Sequence, residues 1–558
     1  MAVTAKQKPK RSSGFFDTKR GRTIVENLTA YAFLTPAMLV LFIFGIFPVA
    51  FAFFVSLHRW RRFPGDFRGL DNYVDALGNF AFVAFFWLAL GAILYGIYTL
   101  YRFYKEERQD EQPRAYAYII PGGALAIAIA LFTRWLFTAI PFIFNVPERV
   151  RGQELSRTLF VSEFFNSFTF PEVTAAASVM LIGMVITIPL VLLSINTVKI
   201  KRTQHYLSLA MLAGLAFIGG VVLMQLTVSE IDIAIAEALE AGTSVPIWSQ
   251  IIIISAGAGL MGVALWLWNN TVHDQNARFY VLRVLAVVAA VIGGVLLIQE
   301  LPSAFADHDD DIARGFGVTV WYALFSVPMQ ISLGLILAVL LFQNIRGKSF
   351  FRLVYFLPYI TPFVATSVVF SLLFSPNEAS LANQFIGVFG IEKQDWLFEE
   401  QGIFQLMLGE FVPDAFAGPS LALMVIILYN IWIYAGFSSV IFLAGLGGIP
   451  EDVYEAARID GATWWHQFRY ITIPLLSPTT FFLILVATIG TFQAFTQIFL
   501  MRKNGAYDAV DTINLYIYEE INAPDYAYGS AMAFVLFAVI LTLTLIQNRI
   551  ASRRVFYG

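Results

Sequence analysis

Hydrophobic positions gather in twelve long blocks, near 31–57, 80–103, 116–141, 173–195, 206–226, 249–269, 279–301, 317–342, 350–374, 418–444, 477–501 and 528–548. A hydrocarbon core about 30 Å thick needs roughly 20 apolar residues per helix, and every block meets that test. The pattern predicts an all-α polytopic membrane protein with twelve spans. The first block is too long for a cleavable leader and reads as a retained anchor. Among the polar segments on the N-terminal side of the membrane, 445–476 is the longest and is not apolar enough to cross. On the opposite side, 142–172, 227–248, 375–417 and 502–527 are large enough to carry short amphipathic helices.

Composition supports the same class. The 558 residues are 58% hydrophobic and only 13% charged, whereas soluble domains are about 25% charged, so the surplus apolar surface has to face lipid. Disorder, nucleic-acid binding and a disulfide-stapled scaffold are excluded on the same grounds. The absence of cysteine removes thiol catalysis and Cys-ligated metals.

Charge placement orients the chain. Lys6, Lys8, Lys10, Arg11, Lys19, Arg20 and Arg22 precede the first block, and 23 Lys/Arg fall on that side, counting Arg102 and Arg352 at the ends of their blocks, against 11 on the other. Under the positive-inside rule both termini are expected in the cytoplasm. Arg59, Arg61, Arg62 and Arg68 run against the bias. Arg134 and Arg283 fall inside blocks near their ends, where they could snorkel.

Several short motifs have bland explanations. Gly257-Ala258-Gly259-Leu260-Met261-Gly262 fits a dinucleotide fingerprint but lies mid-block, where small residues serve helix packing. Gly347-Lys348-Ser349 lacks the upstream glycine of a phosphate loop, since Phe342 stands there. Asp307-His308-Asp309-Asp310-Asp311 could ligate a hard cation, but a solvated loop explains it more simply. His58, His205, His273 and His466 show no catalytic pairing. Few carboxylates lie within the blocks, which argues against proton relays.

The segment 449–476, IPEDVYEAARIDGATWWHQFRYITIPLL, is informative. Pro450 suits a helix start, and Glu451 and Asp452 favour its N-terminal dipole. A short amphipathic helix is expected to about Asp460, a reversal at Gly461, and a second helix through Trp464, Trp465 and Phe468 before Pro474 opens the next span. Exposed small residues Ala456 and Ala457 beside bulky aromatics mark a docking surface.

Glu455-Ala456-Ala457, then Gly461, then Ile471-x-Ile473-Pro474 resembles the EAA loop of ABC importer permeases, with Ile473 where leucine is usual. The flanking Ile449-Pro450 and Ile459-Asp460-Gly461-Ala462 resemble the carbohydrate-uptake branch, of the type of the first membrane subunit of maltose transporters. Gly69-Leu70-Asp71-Asn72-Tyr73, the stretch 338–357 and Tyr528-Gly529-Ser530-Ala531-Met532-Ala533 match as well. Arg502-Lys503-Asn504-Gly505-Ala506 departs from the glycine- and proline-rich turn usual there.

The resemblance implies a six-helix type I importer core with an inserted block of about six extra transmembrane helices. The divisions are a basic cytoplasmic tail (1–30), a first core span and outer loop (31–77), the inserted multi-span region (78–311), the permease core (312–550) and a cytoplasmic tail (551–558). It further implies a non-enzymatic subunit in a bacterial or archaeal cytoplasmic membrane, binding no cofactor itself. ATP and Mg²⁺ would belong to a dimeric cytoplasmic ATPase coupled through Glu455, Ala456, Ala457, Asp460, Gly461, Ile471 and Pro474. A second, unequal permease, an extracytoplasmic sugar-binding protein and a carbohydrate substrate complete the expected partners.

Asn430, Trp432, Thr491 and Gln493 lie in the two blocks flanking the EAA loop and are candidates for a sugar pathway, or for interhelical hydrogen bonds. Two other classes set the contrast. A secondary carrier would show inverted repeats, midplane ions or broken helices, none of which is evident in the sequence. A membrane-embedded lipid-linked glycosyl transferase would need interfacial carboxylates or a metal, for which 307–311 is the foothold.

Overall fold

A computed structural model describes residues 19–61, 63–110, 113–154, 156–198, 202–271, 277–343, 345–409, 411–413 and 416–551. The basic residues before Lys19, together with Arg62, His273 and the tail 552–558, lie outside the described residues, as do the side chains of Lys19, Arg20 and Arg22.

Helices dominate, with one small antiparallel hairpin between His58–Trp60 and Pro64–Phe67. Among the described residues, ten helices are long and apolar enough to cross a membrane. Two further candidates are bent pairs, so the twelve spans expected from the sequence correspond to ten continuous helices and two broken ones. Lys348–Ile360 and Phe363–Leu373 meet at 96°. Pro358 and Pro362 explain that break: each lacks an amide donor and restricts the residue before it. Trp464–Leu475 and Ser477–Phe492 meet at 61°, and a second interruption at Gln493 to Phe495 precedes Thr496–Met501. Broken helices, not evident in the sequence, are therefore present. Non-helical backbone at membrane depth is tolerated where protein buries it or where it lines a wet cavity.

The helix Leu421–Gly447 is the hub, with 67% of its apolar window buried against 17% for Pro171–Thr197. It packs on Asp310–Phe342 and on Lys348–Ile360. Small residues set these crossings: a methyl built on Gly334 would lie 2.5 Å from Ser438 Cβ, and one on Gly436 would lie 1.8 Å from the Tyr355 carbonyl oxygen. Gly257 and Gly293 do the same for the pair Ile247–Thr271 and Ala277–Ala304, whereas Gly259 and Gly262 meet nothing within 4 Å. The glycine run at 257–262 thus serves packing through its first member.

Between the early core and the hub, Phe80–Gln109, Ile119–Phe144, Pro171–Thr197 and Thr203–Glu240 pack as neighbours. The separate short helix expected within 227–248 does not form; Thr203–Glu240 runs uninterrupted for 38 residues because no glycine or proline falls between Gly220 and Gly242. The other outer segments do carry short helices, including Arg157–Asn166, Leu381–Gly387, Ile403–Leu408 and Ile513–Asn522.

The chain enters and leaves this region at one place. Gly78 adopts φ +62, and a methyl there would lie 2.9 Å from the Ala304 carbonyl oxygen and 3.5 Å from the His308 amide. The rings of Phe80 and Phe305 stack beside it at 4.5 Å. The acidic run then serves the next helix: Asp309 caps it by accepting from the Asp311 amide at 2.8 Å, and accepts from the Tyr528 hydroxyl at 2.5 Å. Among the described residues no cluster of side chains is arranged to hold a metal ion.

Candidate coupling surface and pathway

Glu451–Ile459 forms one short helix, with Glu451 and Asp452 in its first turn and Arg458 in its last, the charge order that complements a helix dipole. Its end is a Schellman motif. The Gly461 amide donates to the Arg458 carbonyl at 3.1 Å and the Ala462 amide to the Ala457 carbonyl at 2.9 Å. The second bond requires the left-handed φ of +80 that Gly461 supplies. Nothing lies within 4 Å of where a Gly461 side chain would start, so backbone conformation alone selects glycine there.

Thr463 caps the following helix, Trp464–Gln467. Phe468–Thr472 then widens into a π turn before Ile473–Leu475. Pro474 explains the widening: with no amide to donate and a ring that displaces the preceding turn, it favours an extra residue in that turn.

Glu455, Ala456, Asp460 and Gly461 are exposed, while Ala457, Ile471 and Pro474 are half-buried. Glu455 meets Arg458 at 3.8 Å, both about 60% exposed, a surface pair of little energetic weight. It remains available to a partner. Trp464, Trp465, Tyr470 and Ile459 are exposed, Ile459 by 86%. Trp464 stacks on Phe468 with ring centroids 5.4 Å apart and planes 2° from parallel.

Behind this surface lies a cavity of about 180 Å³ between Val339, Phe342, Gln343, Leu446, Tyr454 and Phe468. Tyr454 and Thr472 share a hydrogen bond of 3.0 Å across it. That bond ties the two short helices together at the ends of Asp310–Phe342 and Leu421–Gly447. The sequence carries no signal for Tyr454 beyond its place on the inner face of an amphipathic helix.

The structure does not gather the four pathway candidates. Asn430 is buried and donates to Gln330 Oε1 at 3.3 Å. Trp432, two residues on and so about 200° around the helix, is 44% exposed and stacks on Phe370 at 6.0 Å. Thr491 is buried, with its hydroxyl donating to the Thr488 carbonyl of its own helix at 3.0 Å. Gln493 is exposed at the helix break, where its carbonyl accepts from Asn514 at 3.1 Å. Asn430 and Thr491 thus spend their polar groups inside the protein. Gln330 was legible only as a lone amide in an apolar block.

Beside the break at 493–495 lies an ion cluster outside the apolar spans. Arg502 bridges Asp511 at 2.9 Å and Glu519 at 2.7 Å. Burial pushes the Asp511 carboxyl up to about 7 despite the Arg502 guanidinium, which pulls the other way. Its second oxygen, Oδ1, is buried without a hydrogen-bond partner among the described residues.

Residues 330–557 match the family described as "Binding-protein-dependent transport system inner membrane component". The chain is 31% identical over 232 residues to the arabinooligosaccharides transport system permease protein AraP of Halalkalibacterium halodurans, covering 41% of this chain and 67% of that protein. It is 31% identical to the lactose transport system permease protein LacF of Rhizobium radiobacter (42% and 74% covered) and 27% identical to the trehalose/maltose transport system permease protein MalF of Thermococcus litoralis (42% and 74%). Among solved structures, a bacterial ABC transporter involved in import of the acidic polysaccharide alginate aligns with TM-score 0.37 and 23% identity, over 47% of this chain and 82% of that one.

Proposed function

Because the chain belongs to the family of inner-membrane components of binding-protein-dependent transport systems, we propose that it is the permease subunit of an ATP-driven carbohydrate importer. In this reading it is moved by nucleotide hydrolysis on separate cytoplasmic subunits and carries out no chemistry of its own. The observation that carries the reading is the exposed helix–turn–helix at 451–475, held by the Gly461 turn. An ATPase cleft would receive the thin Ala456–Ala457 face, with Trp464 and Trp465 alongside and Glu455 offered to a basic group. The bond between Tyr454 and Thr472 would pass that movement to the hub helix.

The chain is proposed to work with a second, unequal permease and an extracytoplasmic binding protein. Both termini are proposed to be cytoplasmic, on the Lys/Arg bias. Residues 78–311 are read as an inserted block on a six-helix core of 31–77 and 312–550, an arrangement supported by the meeting of Gly78 with Ala304. Cysteine at 452 should then be closed, and cysteine at 393 open, to an impermeant thiol reagent in intact cells. For the sugar path, Trp432 and Gln493 are the better candidates, since Asn430 and Thr491 are internally bonded.

The test is uptake of labelled arabino-oligosaccharide, maltose, trehalose and lactose beside co-purification of the ATPase. Gly461→Asp and Glu455→Lys should abolish uptake and weaken ATPase retention while the protein still accumulates in the membrane. Full uptake with normal ATPase retention in both variants would defeat the coupling assignment.

A further inference from the structure

Arg134 stands within the apolar helix Ile119–Phe144, ten residues and so about 15 Å before its end. It is exposed, and among the described residues its side chain has no hydrogen bond or ion pair. A cationic side chain facing hydrocarbon is costly unless something pairs with it. Packed antiparallel against this helix is Pro171–Thr197, whose second residue is Glu172. Glu172 is likewise exposed and unpaired.

A cavity of about 290 Å³ separates the two charges, bounded by Leu131, Thr138, Ala175 and Val179 besides Arg134 and Glu172 themselves. The Thr138 hydroxyl is already used, donating to the Arg134 carbonyl at 2.9 Å. The protein therefore offers a guanidinium and a carboxylate across a small apolar cleft that opens to lipid, and joins them to nothing of its own.

The depth fits a membrane interface. Trp135 stacks on Phe168 at 6.3 Å, and Phe142 on Phe170 at 4.6 Å, an aromatic girdle of the kind found at headgroup level. Arg134 can extend toward that level along its stem while Glu172 already sits in it.

We propose that the cleft between Ile119–Phe144 and Pro171–Thr197 binds a phospholipid headgroup, with Arg134 on the phosphate, Glu172 on a primary ammonium and the glycerol end over Leu131 and Val179. A guanidinium matches phosphate in a two-point geometry. A carboxylate lining the same cleft accepts hydrogen bonds from –NH₃⁺ that a trimethylammonium cannot give. The site thus selects phosphatidylethanolamine over phosphatidylcholine, and it stands apart from the transport reading because both helices lie outside the matched family segment.

The experiment uses full-length protein in bilayer discs of equimolar phosphatidylethanolamine, phosphatidylcholine and phosphatidylglycerol, released into non-ionic detergent. Lipids retained are counted by native mass spectrometry. Wild type is expected to keep phosphatidylethanolamine in preference to phosphatidylcholine. Arg134→Gln should lose retained phosphatidylethanolamine and phosphatidylglycerol by about ten-fold or more, the scale of one charge-assisted hydrogen bond, and Arg134→Lys should recover part of it. Glu172→Gln should keep phosphatidylglycerol yet lose the preference for ethanolamine. Should Arg134→Gln fail to fold, the selectivity of Glu172→Gln against wild type decides alone. Equal lipid retention by wild type and Arg134→Gln, or unchanged selectivity in Glu172→Gln, overturns the proposal.

Discussion

The amide of Ala462 donates to the carbonyl of Ala457 across Gly461, so the break between the two coupling helices is a hydrogen-bonded turn of fixed geometry. Replacing Gly461 by Ala should cost about 1 kcal/mol in that turn, while Asn, which tolerates left-handed backbone, should cost less. Protease accessibility at Arg458 should rise for Gly461→Ala above Gly461→Asn. Equal accessibility in both would show that the turn does not depend on backbone conformation.

Asn430 and Trp432 should part company under mutation. Asn430→Ala removes one interhelical hydrogen bond and strands Gln330, a loss of about 0.5–2 kcal/mol, with sugar affinity unchanged. Trp432→Ala should change the KM for uptake with little effect on thermal unfolding. An Asn430→Ala variant of normal stability and altered KM would reverse the assignment.

Gly436 and Gly490 provide a matched pair. A methyl on Gly436 collides with the Tyr355 carbonyl oxygen, whereas one on Gly490 meets nothing within 4 Å. Gly436→Ala should therefore destabilise by about 1–3 kcal/mol or more, and Gly490→Ala only through helix context. Unfolding temperatures in detergent, measured side by side, check this.

Asp511 sets a pH dependence. Its folded-state carboxyl is raised to about 7 from an ordinary value of 3.8, so between those values the folded protein binds more proton than the unfolded chain. Stability from this group is present below the lower value and falls as pH rises toward 7, by at most about 1.4 kcal/mol per pH unit. Asp511→Asn should flatten the unfolding profile between pH 4 and 7. An unchanged profile would place the titration elsewhere.

Much of this was legible in the chain. Long apolar blocks have few folded solutions besides spanning helices, and a Pro–Asp/Glu start with a glycine reversal has few besides the short helix and turn seen at 451–461. What stayed hidden was relational. Pro358 and Pro362 announce a disturbance but not a bend of 96°, because proline fixes where a helix breaks and not the angle between its halves. Asn430 reads equally well as pathway or glue until Gln330, a hundred residues away, is found beside it. The end of Thr203–Glu240 resembles a loop in composition while containing nothing that stops a helix.

The meeting of Gly78 with Ala304 and His308 has an architectural corollary. A stretch of more than two hundred residues begins and ends within one residue's reach, so as a loop it is a cassette joined covalently at one place, even though Phe137 and Phe144 within it also stack on Phe54 and Phe51 of the first helix. Closing so long a loop costs only logarithmically more entropy than closing a short one, so such a cassette can be gained at little thermodynamic cost. Cutting after Gly78 and rejoining at His308 would join backbone that already lies side by side.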